Sequence, residues 1–199
     1  MKRILASAAL GLSLLVASGG AVVAQEYDKG LAAHNKGEYA VALREWRVDA
    51  AQGRSYAQYN LGLMYYKGQG AIQDYKEAAR LWGLAAAQGV ARAQLDLGLM
   101  YSKGQGVIQD YKEAARLWGL AAAQGDADAQ YNLGGLYFEG QGVIQDNVYS
   151  HMWLNIAASS GDAHAVNNRD FVAKNMTAAD ISKAQELARA CVAKNYKGC

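Results

Sequence analysis

Residues Arg54 to Gly89 read RSYAQYNLGLMYYKGQGAIQDYKEAARLWGLAAAQG, and residues Val90 to Gly125 read VARAQLDLGLMYSKGQGVIQDYKEAARLWGLAAAQG. Laid one above the other they need no gap, and 29 of 36 positions are identical. A third, more divergent copy runs from Asp126 to Gly161. A partial copy comes first, since Trp46 and Gly53 stand 36 residues before Trp82 and Gly89. A fixed period of this length marks a stacked architecture, in which a unit buries its apolar face only against its neighbours.

One unit reads as two helices. Ser55 to Lys67 carries apolar residues at helical spacing and stops at Gly68, a residue suited to the left-handed turn that ends a helix. After the loop, Asp74 reads as an N-cap, with Glu77 three residues on as the other half of a capping box. A second helix then runs from Tyr75 to Gln88 and stops at Gly89. Asp110, Glu113 and Gly125 repeat these signals one unit later. The absence of proline suits helices joined by glycine turns. The expected fold class is all-α, an α-α superhelix (solenoid) of 36-residue helix–turn–helix units.

Angular bookkeeping separates two faces on the first helix of each unit. With Tyr56 at the origin and 100° per residue, Ala57, Leu61, Met64 and Tyr65 fall between about 80° and 180°. That stripe recurs from copy to copy and is the expected packing face. Tyr56, Tyr59, Leu63 and Tyr66 fall between about 0° and −80°. The next unit has Arg92, Leu95, Leu99 and Ser102 there, and the third has Asp128, Tyr131, Gly135 and Phe138. Of the seven differences between the two matched copies, three lie on this face, at positions 56, 59 and 66. The second helices do not differ. Tyr56, Tyr59, Tyr66, Arg92, Tyr131 and Phe138 are therefore the candidate partner-binding residues, a tyrosine-rich set of the kind that favours protein recognition. The competing reading is drift on a solvated face, with some tyrosines covering seams between repeats.

The first 24 residues read as a secretory signal peptide to be removed. Lys2 and Arg3 precede an apolar run from Ile4 to Val16, and Val22 and Ala24 suit a cut before Gln25. The run is shorter than the roughly 20 residues that span a bilayer, so no transmembrane segment is expected after the cut. Removing Lys2 and Arg3 leaves 20 − 2 basic residues against 18 acidic ones, a formally neutral chain with no electrostatic case for nucleic acid. The only cysteines are Cys191 and Cys199. In an oxidising compartment they are expected to pair and tie the tail to the last helix, free thiols being the alternative. The expected division is a signal peptide at 1–24, repeats at 25–161 (partial 26–53, full 54–89, 90–125 and 126–161) and a C-terminal helical cap at 162–199. Two changes announce the end of the stack: Leu154 stands where Trp82 and Trp118 stood, and Tyr149 stands at the Glu77 position. Thr177 and Asp180 suggest a capping box for a last helix over roughly Ala178 to Lys194.

The run Ala57-Gln58-Tyr59-Asn60-Leu61-Gly62-Leu63-Met64-Tyr65, followed by Gly68-Gln69-Gly70, Asp74, Ala78, Trp82, Ala85-Ala86 and Gln88-Gly89, strongly resembles the Sel1-like repeat, a relative of the tetratricopeptide repeat. The resemblance covers roughly Tyr27 to Gly161. It implies a solenoid whose first helices line a concave surface, and adaptor work in assemblies that often sit at membranes. That surface coincides with the variable face.

No catalytic constellation accompanies the repeats. Gly68-Gln69-Gly70 follows a helix and lacks the third glycine of a dinucleotide loop, so it reads as a turn. His34, His151 and His164 are scattered and make no zinc pattern. The Ser-x-x-Lys, Ser-Asp-Asn and Lys-Thr-Gly motifs of β-lactamases are absent from the sequence. No cofactor or metal and no enzyme activity are expected. The expected function is an exported scaffold or adaptor in the cell envelope, periplasmic or else fully secreted, holding another protein or an extended peptide on its concave face. Alternatives are a regulatory or inhibitory subunit of a membrane signalling protein or enzyme and, more remotely, a β-lactamase-like or cell-wall hydrolase.

Overall fold

The computed structural model describes residues 29–199; the signal-peptide assignment falls outside them. The described chain is helical, with no strand. The helices are α1 (the described part, 29–35), α2 (Tyr39–Ala51), α3 (Ser55–Lys67), α4 (Tyr75–Ala87), α5 (Ala91–Lys103), α6 (Tyr111–Ala122), α7 (Ala127–Glu139), α8 (Asn147–Ala158), α9 (Ala163–Ala173) and α10 (Ala178–Ala193). Each helix from α2 to α9 packs chiefly on its neighbours in sequence, and α10 folds back onto α8. This is the α-α solenoid that the period implies.

The core is a repeated contact between a tryptophan and a glycine. Trp82 of α4 packs against Gly62 of α3, where an added Cβ would come within 2.6 Å of the indole, and Trp118 does the same on Gly98. Each indole donates its N–H to a first-helix carbonyl, Trp82 to Tyr59 at 3.0 Å and Trp118 to Leu95 at 3.1 Å. Fully buried alanines at 57, 93 and 129, and at 78, 114 and 85, let the helices approach around these rings. In the third unit Leu154 takes the tryptophan's place against Gly134, and Trp153 turns into the core shared with α10.

Helix starts follow the sequence in one half of the capping box and depart from it in the other. Asp74 accepts from the Glu77 N–H at 3.0 Å, and Asp110 from those of Lys112 and Glu113. The return bond from Glu77 is not made. Arg80 takes both carboxylate oxygens, at 2.7 and 2.8 Å, and the Asp74 N–H goes instead to the Tyr65 carbonyl. Arg116 and Glu113 repeat the substitution. A guanidinium one turn on competes better for the carboxylate than a backbone N–H. Asp146 still caps α8 although Tyr149 replaces the glutamate.

The loops seat one unit on the previous one. Gly106, in the left-handed region at φ 71°, lies so close to Tyr75 that a Cβ would sit 2.4 Å from its carbonyl carbon. Only glycine fits that approach. At the far end, Cys191 and Cys199 are joined, with Cα atoms 5.5 Å apart.

Candidate functional site

The six residues singled out on the variable face are half-buried, apart from exposed Arg92, and tied largely to the next first helix along the stack. Tyr59 of α3 donates its hydroxyl to Asp96 of α5 at 2.9 Å. Arg92 of α5 pairs with Asp128 of α7 at 2.9 Å. Tyr131 of α7 accepts from the Asn168 amide of α9 at 2.7 Å, and Phe138 meets the Phe171 ring edge-on at 5.7 Å. Tyr56 reaches back, donating to the buried Asp49 at 3.4 Å. Tyr66 leans on Tyr75 and Trp82 within its own unit, at 5.1 and 5.3 Å.

The face is therefore a row of seam ties, each of different chemistry. This gives the competing reading, tyrosines over seams, a clear share. Burial, and then the Asp96 carboxylate, push the Tyr59 phenol up, while burial pushes Asp96 itself above the usual carboxylate range. The first shift keeps Tyr59 protonated, as the donor of this bond. The partners Asp96, Asp128, Asn168 and Phe171 were not among the sequence candidates. Two of them carried a signal, because Asp128 stands on the variable face itself and position 60 is a further difference on this helix, Asn60 becoming Asp96.

Between the ties the face opens where side chains shrink. Ser102, Tyr131, Gly135, Glu139 and Asn168 line a groove of 310 Å³ running from α5 to α9. Gly135 sits in mid-helix and a Cβ there would meet nothing within 4 Å, so this gap is not needed for packing. Among the described residues no cluster of His, Cys, Asp and Glu is placed to hold a metal, and no helix is long and apolar enough to cross a membrane.

Comparison with known proteins agrees with this geometry. The chain is similar to c5321, a protective antigen present in uropathogenic Escherichia coli strains displaying an SLR fold, at 30% identity and a TM-score of 0.75 over 89% of this chain. It spans only 39% of that protein's length. It is also similar to a Sel1 repeat protein from Oxalobacter formigenes, at 26% identity and a TM-score of 0.68, covering 83% of this chain and 75% of that one. No curated protein matches the sequence. The family described as Sel1 repeat matches residues 55–90, 91–126 and 127–162, three consecutive units that make up more than half of the chain. The chain belongs to the Sel1 repeat family.

Proposed function

We propose that the chain is an exported scaffold of the cell envelope that holds another protein, or an extended peptide of it, along the face of its first helices. Solenoids of Sel1 repeats are scaffolds suited to protein–protein interaction and are generally non-catalytic. The observation that carries the finer reading is the groove at Gly135 that packing does not require, on the face that holds three of the seven differences between the matched copies. The Cys191–Cys199 cross-link supports export into an oxidising compartment, and the periplasm is the compartment we propose.

The test is capture from envelope extract by purified protein, comparing wild type with Gly135→Leu. The substitution fills the groove, meets no neighbour at Cβ and improves helix propensity, so the variant should fold. Loss of the captured partner supports the reading. Capture of the same partner at the same yield by Gly135→Leu, and by Tyr59→Ala combined with Tyr131→Ala, would overturn it. Fractionation of cells after osmotic shock checks the compartment. Turnover of a chromogenic β-lactam or a muropeptide by the pure protein would contradict a non-enzymatic role.

A further inference from the structure

A second surface, lined chiefly by the second helices, occurs three times with three different fates. Its columns are Arg47, Gly83 and Gly119; Gly53, Gly89 and Gly125; Leu61, Leu97 and Leu133; Tyr65, Tyr101 and Tyr137. In the first copy the chain covers the tyrosine itself. The Arg47 guanidinium stands 5.9 Å from the Tyr65 ring centroid and donates to its hydroxyl at 2.7 Å. In the third copy the C-terminal loop closes one side, while at Gly119 an added Cβ would meet nothing within 4 Å. Tyr196 lies against Gly125, where a Cβ would be 3.1 Å from its ring, and Tyr196, Gly198 and Cys199 wall a cavity of 430 Å³ with Leu133 and Tyr137. In the second copy nothing in the described chain occupies the place. Gly83, Gly89, Leu97, Tyr101, Glu113 and Arg116 line an open groove of 530 Å³, and a Cβ on Gly83 or Gly89 would meet nothing within 4 Å.

The rims say which of the two natural occupants the open groove matches. The first copy has the ion pair Glu77–Arg80 beside its tyrosine, and the second has the same pair as Glu113–Arg116. The third has lost both partners, carrying Tyr149 and Met152 at those positions, and the ring stacked on its tyrosine is Tyr149, 5.4 Å from Tyr137. By side-chain chemistry the open groove is a copy of the one filled by a guanidinium. Only the residue that supplies it is missing, because glycine stands at position 83 where arginine stands at 47.

We propose that the groove between α4 and α6 is a docking site for an arginine side chain on an exposed segment of a partner protein, laid over the Tyr101 ring as Arg47 is laid over Tyr65. Tyr101 offers its ring face and hydroxyl, and the rim carries the same Glu–Arg ion pair that flanks the guanidinium in the first copy. The site is separate from the first-helix face and stands or falls independently of it.

Two measurements on the full chain test the proposal. The first titrates protein bearing isotope-labelled tyrosine with acetyl-Gly-Arg-Gly-amide, and with the matching lysine and tyrosine tripeptides, following the Tyr101 ring signals by NMR. A saturable shift with the arginine peptide is expected, severalfold weaker with lysine, kept in Gly83→Ala and abolished in Gly83→Arg. The second compares the stability of Gly83→Arg with that of Gly83→Ala, which share the loss of a mid-helix glycine. The arginine variant should exceed the alanine variant, and the excess should shrink when Tyr101→Phe removes the hydroxyl. The proposal is overturned if Tyr101 does not respond, if lysine or tyrosine serves as well as arginine, or if Gly83→Arg still responds like wild type. It is equally overturned if sedimentation shows the groove occupied by a second copy, as a dimer that Gly83→Arg dissociates.

Discussion

Two glycines in the paired helices of one unit separate a packing role from an open surface. At Gly98 a Cβ would fall 2.6 Å from the Trp118 indole, which has no room to retreat inside the core; at Gly119 it would meet nothing within 4 Å. Gly98→Ala is therefore expected to lower stability by about 1–3 kcal/mol through overpacking. Gly119→Ala should raise it by about 0.5–1 kcal/mol through the helix propensity gained. Urea denaturation of both variants reads the two signs, and equal effects would remove the distinction. His151 gives a residue-scale prediction in pH. It is buried on α8, and burial, then the Arg169 guanidinium, depress its pKa against a smaller opposite pull from Asp170. Below the ordinary value of 6.5 the unfolded chain takes up a proton that the folded chain refuses. Stability should therefore fall as pH is lowered from about 7 to about 5. His151→Gln should flatten that slope in thermal melts.

At the scale of the element, the sequence is legible wherever its signals are local. Gly68, Gly104 and Gly140 end first helices in the left-handed conformation, and Asp74, Asp110 and Asp146 begin second helices with side-chain caps, as their positions announce. Asp110→Ala removes two such bonds and should cost about 1 kcal/mol, with faster amide exchange confined at first to the start of α6. What the sequence did not disclose was pairing between units. Tyr59 and Asp96 stand 37 residues apart, as do Tyr131 and Asn168. A helical wheel drawn on one helix shows a face but not what the next helix sets against it. The failed half of the capping box has a similar origin, since Arg80 and Glu77 satisfy each other on the surface while Asp74 finds its acceptor on the previous helix.

For the whole molecule, the open question in any stack is how its last unit is closed. Here α10 lies on α8, contributing Ala188 and Cys191 to the core around Trp153, and the cross-link to Cys199 holds the Tyr196 loop against α6 and α7. Closing a loop of this size contributes about 2–3 kcal/mol in the chain-entropy picture. Cys199→Ser should lower stability by that order in denaturant melts, and reducing agent should do the same to wild type while leaving the variant unchanged. A variant as stable as the oxidised parent would show that packing alone secures the end.

The seam ties along the first helices acquire a further meaning beside the near-identity of the units they join. Two neighbours that agree at 29 of 36 positions can in principle exchange places, dock out of register or trade with another molecule, because their packing stripes fit one another equally well. The seams do not repeat their chemistry: phenol to carboxylate, guanidinium to carboxylate, then amide to phenol with ring on ring. A misregistered stack would set Leu95 of α5 against Asn168, leaving that amide without its phenol, or Arg92 of α5 against His164 in place of Asp128. The differences between copies thus act as addresses, telling interchangeable parts which neighbour is theirs.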